Sequence, residues 1–463
     1  MSFKKIIFTL MVAMVAINAL ATKPKYIFYF IGDGMGMGPA IATEMYNRTV
    51  LNNPQPITML GFPVVGMAMT YSASSPVTDS AAAGTALSTG VKTKNGMLGM
   101  NPDTLSVTSI ARILKDDGYG VGIVTSVAPD DATPGAFYAH VPNRKMRYEI
   151  DVMAAKSGYE FLAGAGLSGE TDKDGNPTDI LEIMKENNVQ IVRGKEEMEQ
   201  ATAEKIFLLN TAGTPSHNIG YTIDSLENVL NLPYITQTCL DHLEKVSPDA
   251  FFMMVEGGNI DHALHANDGG AAIKETINFN QAIDIAVDFY KKHPMETLIV
   301  VTADHDTGGM SVGNSFTGYN AFLANIDYQK VSKEQFENYC RKVLESKDKY
   351  TWNDMRKYLT ENLGLWKYVK VNENQEKSLE EKFNETFKLR NSKDQKTLYK
   401  NFNAFAAEVY KVFNDVSGIG FIATSHTGNP VPVCAMGVGA QEFSNLNNNI
   451  DIPVKILQLV NGK

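Results

Sequence analysis

Ser80 is the residue in this sequence best placed to act as a nucleophile. It stands in Ser75-Pro-Val-Thr-Asp-Ser-Ala-Ala-Ala-Gly84, with Asp79 before it and an alanine run after it. That pattern puts Ser80 at a helix N-terminus, where free N–H groups and the helix dipole favour an anion. Read alone, Asp79-Ser80 is an ordinary helix cap. A serine hydroxyl becomes a strong nucleophile only beside a base or a metal. The chain has no evident Ser-His-Asp arrangement, but it carries metal-ligand types at recognisable spacings. Asp261 and His265 stand four apart, on one face of any helical turn that holds them. Asp304-His305 is a second carboxylate–imidazole pair, and Ser425-His426-Thr427-Gly428 offers a late histidine. Asp33 lies in the glycine turn Gly32-Asp-Gly34, and Glu256 ends an apolar run. Mixed nitrogen and oxygen ligands suit zinc, whereas carboxylate with hydroxyl oxygen suits magnesium. His217, His242 and His293 lack such company and read as surface or structural.

These residues must be brought together by the elements they follow. Lys25 to Ile31 is an apolar run suited to a central parallel strand, and Asp33 comes just after it. A strand followed by glycines suggests dinucleotide binding, but no G-x-G-x-x-G aligns and Asp33 would face a pyrophosphate. Further strands are expected at Phe62–Thr70, Tyr119–Val127, Gln190–Arg193, Ile206–Leu209, Phe251–Val255 and Thr297–Ala303, with Val431-Pro-Val-Cys434 also strand-like. Helices are expected at Leu105–Asp117, Asp179–Glu186, Tyr234–Lys245 and Ala271–Lys292. The alternation predicts a three-layer α/β/α sandwich around a mostly parallel sheet. In such sheets ligands gather at the carboxyl ends of the strands. Asp33, Glu256, Asp304 and His305 all fall at such ends.

Residues 1–21 carry Lys4 and Lys5, an apolar run from Ile6 to Leu20, and Ala19-Leu20-Ala21 as a cleavage site. They read as a secretory signal peptide, which makes the mature protein, residues 22–463, exported to a periplasm or the medium. No later apolar run is long enough to span a bilayer. The net charge of −10 argues against general affinity for nucleic acid. Cys239, Cys340 and Cys434 are odd in number and lie on apolar faces or in a strand, so buried free thiols are expected.

The motifs, in their order, resemble those of the alkaline phosphatases. Val77-Thr-Asp-Ser-Ala-Ala-Ala-Gly-Thr85 is similar to the family's nucleophile signature. Asp131-Ala-Thr-Pro134 through His140 to Arg144 resembles the segment with a magnesium ligand and the phosphate-binding arginine. Glu256-Gly257 through Asp261 to His265, then Asp304-His305, then His426-Thr-Gly428 complete the set. The resemblance implies a first zinc on Asp261, His265 and His426. It implies a second on Asp33, Asp304 and His305, with Ser80 as its remaining ligand. A magnesium ion would take Asp33, Thr133 and Glu256, with Asp131 reaching it through water, and Asp79 would orient Arg144. The implied reaction is hydrolysis of phosphate monoesters through a phosphoserine on Ser80, with a paired-metal clamp on the attacking and leaving oxygens. Broad tolerance of leaving groups follows, because every monoester presents the same dianion. A homodimer is implied as well.

Two departures matter. The residue after Asp261 is His262, where some bacterial relatives carry lysine, so His262 is expected near the substrate phosphate. The second is the Lys-, Glu- and Asn-rich run at about 325–415, which reads as a helical insertion. Ser332 with Gln335, Thr351, and Ser378 with Glu381 are expected to start three helices, and Phe402–Phe413 to form a fourth. The insertion lies between His305 and His426, so it is either a cap over the pocket or a peripheral stabilising or dimer-contact module. Two other functions compete: a phosphodiesterase of the same superfamily, which would need neither Arg144 nor the magnesium ligands, and an exported protein that only binds metal or phosphate. A sulfatase would want a Cys/Ser-x-Pro-x-Arg site that this chain lacks.

Overall fold

The computed structural model describes residues 23–346 and 349–462. The expected signal peptide lies outside the described residues. The sheet is built around β1 (Tyr26–Ile31), whose last five residues are completely buried. Such burial on both faces is what an unbroken apolar run specifies. Phe28 packs edge-on against Phe289, while Tyr29 turns to the other face and donates its hydroxyl to the Leu87 carbonyl. Helices therefore cover both sides of the strand.

The other strands of this sheet are β2 (Val64–Met69), β3 (Gly120–Thr125), β4 (Phe161–Gly164), β5 (Val189–Arg193), β6 (Lys205–Leu209), β7 (Phe251–Glu256), β8 (Thr297–Thr302), β9 (Val431–Gly437) and β10 (Asn445–Asn448). Together with β1 they form one ten-stranded sheet in the order β10-β2-β9-β8-β1-β7-β3-β4-β6-β5. All neighbours are parallel except β9, which runs antiparallel to both β2 and β8. The register aligns the strand ends. Ile31 pairs with Glu256 on one side and Thr302 on the other, and Thr125 also pairs with Glu256. Asp33 and Asp304 each come two residues beyond such an end, so three carboxylates of distant sequence emerge at one edge.

Two of the expected helices begin elsewhere. The element expected from Leu105 covers Ile110–Asp116, because Ser109 caps it by accepting from Arg112 N while its own hydroxyl binds the Phe137 carbonyl. Thr104, at positive φ, belongs to the turn before it.

The helices that matter for the site are α1 (Ser80–Thr89), α2 (Gly258–His265) and α3 (Gly269–Lys292). The late segment adds α4 (Lys333–Glu345), α5 (Trp352–Leu363), α6 (Glu373–Phe383) and α7 (Ala404–Ser417). α6 starts at a capping box of Asn372 and Gln375, not at Ser378. Ser378 is inside that helix and donates to Glu408 of α7. These four helices have an apolar core of their own, which includes Phe336, Cys340, Leu359, Phe383 and Phe405, separate from the core around the sheet. All three cysteines are free and buried, as their apolar surroundings predict. No described helix is long and apolar enough to cross a membrane.

Candidate active site

Ser80 is the first residue of α1 and is buried. Asp79 caps the helix, its Oδ1 accepting from Ala82 N at 3.0 Å and its Oδ2 from Gly96 N at 2.9 Å. The capping that the sequence suggests is real, and it fixes the serine beside it. Ser80 Oγ lies 3.0 Å from His305 Nε2, and His305 Nδ1 lies 3.2 Å from Thr307 Oγ1.

Below the serine, Asp33, Asp304 and His305 form one cluster with ligand atoms facing each other; Asp261, His305 and His426 form a second that shares His305. His265 joins the latter, with Nε2 3.3 Å from Asp261 Oδ2 and 3.0 Å from His426 Nε2. The helical turn α2 puts Asp261 and His265 on one face, as their spacing requires. The other ring nitrogens are fixed by backbone: His265 Nδ1 at 2.7 Å from the Thr424 carbonyl and His426 Nδ1 at 2.9 Å from that of Thr78. Thr133 Oγ1 stands 3.5 Å from Asp33 Oδ2 and 3.4 Å from Asp304 Oδ2. Glu256 accepts the Thr125 hydroxyl on one oxygen. Gly34 holds a positive φ under this cluster, and any side chain there would collide with Asp261 and Thr307.

The charges are unbalanced without a cation. Buried Oδ1 of Asp33, Oε1 of Glu256 and Oδ2 of Asp261 have no hydrogen-bond partner among the described residues. Leaving such oxygens bare costs free energy, so a bound cation fits them. Burial, reinforced by Asp304 and Asp261, pushes Asp33 well above the ordinary carboxylate range. Burial lifts Glu256 to about 8. Asp261 goes the other way: burial is outweighed by His265, His426 and His305. Burial and the neighbouring His305 lower His426 to about 4, which leaves its imidazole neutral and fit to bind metal.

Beside this cluster of candidate metal ligands, Arg144 Nη2 donates to Asp131 Oδ1 at 2.9 Å, and Nη1 lies 3.5 Å from Asp79 Oδ2. Arg147 donates to the same Asp131 oxygen at 3.1 Å. Burial would raise Asp131, but these two guanidinium groups hold it below the ordinary carboxylate range. His262 is buried next to this group, and burial lowers it to about 4. His217 is at the surface, as expected, yet its ring stacks 6.5 Å from that of His262.

Every predicted site residue thus falls in one region of the fold. The sequence reading missed Arg147, whose signal was its spacing three residues after Arg144. It also missed Thr125 and Thr307, which hold Glu256 and Asp261, and Tyr399, whose ring is 3.9 Å from that of His262. Nothing local marks Tyr399.

Comparison with known proteins gives the following. The family model described as alkaline phosphatase matches residues 24–163 and 159–461. Alkaline phosphatase 4 of Bacillus subtilis is 31% identical over 438 residues, covering 92% of this chain and 87% of that protein. The crystal structure of a cold-active alkaline phosphatase from a psychrophilic Shewanella superposes with a TM-score of 0.78 at 26% identity, covering 94% of this chain and 99% of that one. A histidine-to-glutamate variant of the TAB5 alkaline phosphatase, solved with Mg in its M3 site, superposes at 0.66 with 25% identity over 95% of this chain and 99% of the other.

Proposed function

The chain belongs to the alkaline phosphatase family, and from that premise we propose that it hydrolyses phosphate monoesters through a covalent phosphoserine on Ser80. It is a hydrolase, and its family is metal-dependent. The observation that carries the finer reading is the position of Ser80: a buried hydroxyl at a helix N-terminus, 3.0 Å from His305 and facing carboxylates whose oxygens lack partners.

In this reading Asp261, His265 and His426 hold one zinc and Asp33, Asp304 and His305 a second, while Asp33, Thr133 and Glu256 hold magnesium. Bound there, the cations would lower the pKa of Ser80 and of the attacking water and neutralise the leaving oxygen. The protein's own groups do the rest. The N-terminus of α1 offers backbone N–H groups to the phosphoryl oxygens. Arg144, held flat between Asp131 and Asp79, presents a fork to two of those oxygens. Asp131 serves the arginines directly, and a water-mediated role toward magnesium is a further part of the proposal. Ser80 attacks the phosphorus, the alcohol leaves, and water then releases phosphate from the serine.

We also propose that residues 1–21 are a signal peptide, that the mature enzyme acts in the periplasm or medium, and that it pairs as a homodimer. Within the catalytic domain, the segment at about 325–415 is proposed as a cap. The support is that its residues 396–398 line a recess of about 430 Å³ together with Asp79, His265 and His426.

The test is to supply the protein with zinc and magnesium and compare a nitrophenyl monoester, diester and sulfate. Rapid acid quenching with a labelled monoester should trap phosphate on Ser80. Faster turnover of the diester, or no trapped label, would sink the proposal.

A further inference from the structure

The residue of the late segment that reaches deepest toward the site is Tyr399. It sits on a short loop whose ends are pinned together: Gln395 N donates to the Phe402 carbonyl at 2.7 Å and Phe402 N to that of Gln395 at 2.9 Å. Inside the loop, Thr397 Oγ1 donates to the Lys400 carbonyl at 2.5 Å and accepts from Lys400 N at 3.3 Å. Its base is fastened to the metal-ligand helix. Lys333 Nζ, buried, donates to Gln395 Oε1 at 2.7 Å and to the Ala266 carbonyl at 2.8 Å, under the ring of Phe402. On the far side, Lys400 Nζ binds Asn338 at 2.8 Å and Glu334 at 3.3 Å. Each of these bonds reduces the freedom of the tip, so the loop presents Tyr399 in one place.

That place is the mouth of the site. The phenol ring lies 3.9 Å from the His262 ring and 5.2 Å, edge-on, from that of His265. Residues of the loop line two recesses, one of about 430 Å³ beside Asp79 and His426 and one of about 280 Å³ beside His217, His262 and Glu334, and Tyr399 itself lines the second. The phenol is within electrostatic reach of Asp261, Asp131, Arg144 and Asp33. Its hydroxyl makes no hydrogen bond to any described residue, although the polar groups anchoring its loop are paired. An O–H donor within electrostatic reach of Arg144, with no acceptor among the described residues, is complementary to an incoming oxyanion.

We infer that Tyr399 is a substrate-contacting residue, its hydroxyl donating a hydrogen bond to a phosphoryl oxygen of the bound monoester beside Arg144. This rests on the phosphate-monoester reading above. In that role the late segment completes the phosphate site instead of only covering it. A donor to a charged oxygen discriminates between the dianion and a neutral group by more than a neutral bond would.

The experiment uses the full mature protein loaded with zinc and magnesium, as the native chain, Tyr399→Phe and Tyr399→Ala. Nitrophenyl phosphate gives KM and kcat, competitive inhibition gives the phosphate Ki, and calorimetric titration with inorganic phosphate gives affinity without turnover. Zinc content is measured on each sample. The phenylalanine variant keeps the ring and removes only the donor. Its KM, Ki and calorimetric Kd should each rise about tenfold, with kcat changed by less than about threefold and zinc content native. Native Ki and Kd in Tyr399→Phe would overturn the inference, and so would a loss of zinc that accounts for the weaker binding. The parent reading fails separately, if the native protein turns over no monoester. The phosphate titration still reports on Tyr399 in that event.

Discussion

Arg144 is anchored to Asp131 by a 2.9 Å hydrogen bond, and Asp79, 3.5 Å away, is its second and looser support. The family pattern had assigned the orienting role to Asp79 and a water-mediated metal role to Asp131. The Asp131 oxygen that binds Arg144 also receives Arg147, which in turn reaches Asp130, so one carboxylate holds both guanidinium groups.

If the proposed function holds, Arg144→Ala should lower kcat/KM by about a hundredfold, as expected for the loss of a donor to the transferring phosphoryl oxygens. Arg147→Ala removes a support of Asp131, and of Asp130 beside it, and should weaken phosphate inhibition by about fivefold to tenfold at native metal content. Equal losses in the two variants would mean that Arg147 also touches substrate.

Ser80→Ala should cost more than about a thousandfold in turnover and abolish the labelled phosphoenzyme. The helix cap is made by Asp79, so the melting temperature should change little. A near-native rate would remove Ser80 from the chemistry.

Chelation should destabilise the protein in a pH-dependent way. Burial raises Glu256 from 4.5 to about 8 in the ion-free site, and Asp33 moves in the same direction. The folded chain then holds protons that the unfolded chain releases. The part of the stability that these two carboxyls contribute is greatest below about pH 4.5 and is lost as the pH climbs toward 8 and above. Scanning calorimetry with and without chelator should show a larger stabilisation by metal at pH 8 than at pH 5. An equal shift at both would show that these carboxylates do not face the ions.

His262→Lys should tighten inhibition by phosphate and lower kcat at high pH, with KM falling too. Burial holds the histidine near 4 and therefore neutral, whereas an ammonium there would add charge beside the phosphate and slow its release. Phosphate Ki against pH in the two proteins measures this; an unchanged Ki would place the side chain away from the anion.

Leu359→Ala should destabilise by about 2–5 kcal/mol, as for a large core side chain cut back without collapse. Leu359 is fully buried in the separate core of the late helices. Urea unfolding measures the cost, and a change under about 1 kcal/mol would mean that this core repacks freely.

Much of the site was legible in the sequence because its parts are short-range. Asp261 and His265 need only one helical turn to face the same way, and Asp79-Ser80 needs only a helix start. Asp33, Glu256 and Asp304 follow apolar runs long enough to read as buried strands. Helix starts were less legible. Ser378 looked like a cap, but the reciprocal pairing of Asn372 with Gln375 satisfied the free N–H groups earlier in the chain.

The sequence by itself determined the alternation of strands and helices, the residues able to bind metal and their place at strand ends, since each depends on neighbours within a few residues. The tertiary structure decided what depends on register and on long loops. Pairing of Ile31 with Glu256 and Thr302 sets the carboxylates side by side. Folding of the Arg144 segment over Asp131 gives that carboxylate two arginines. Tyr399 reaches His262 because Lys333 and the Gln395–Phe402 bridge hold its loop against α2. No local pattern encodes such a contact: it exists only once the late helices have built their own core and docked.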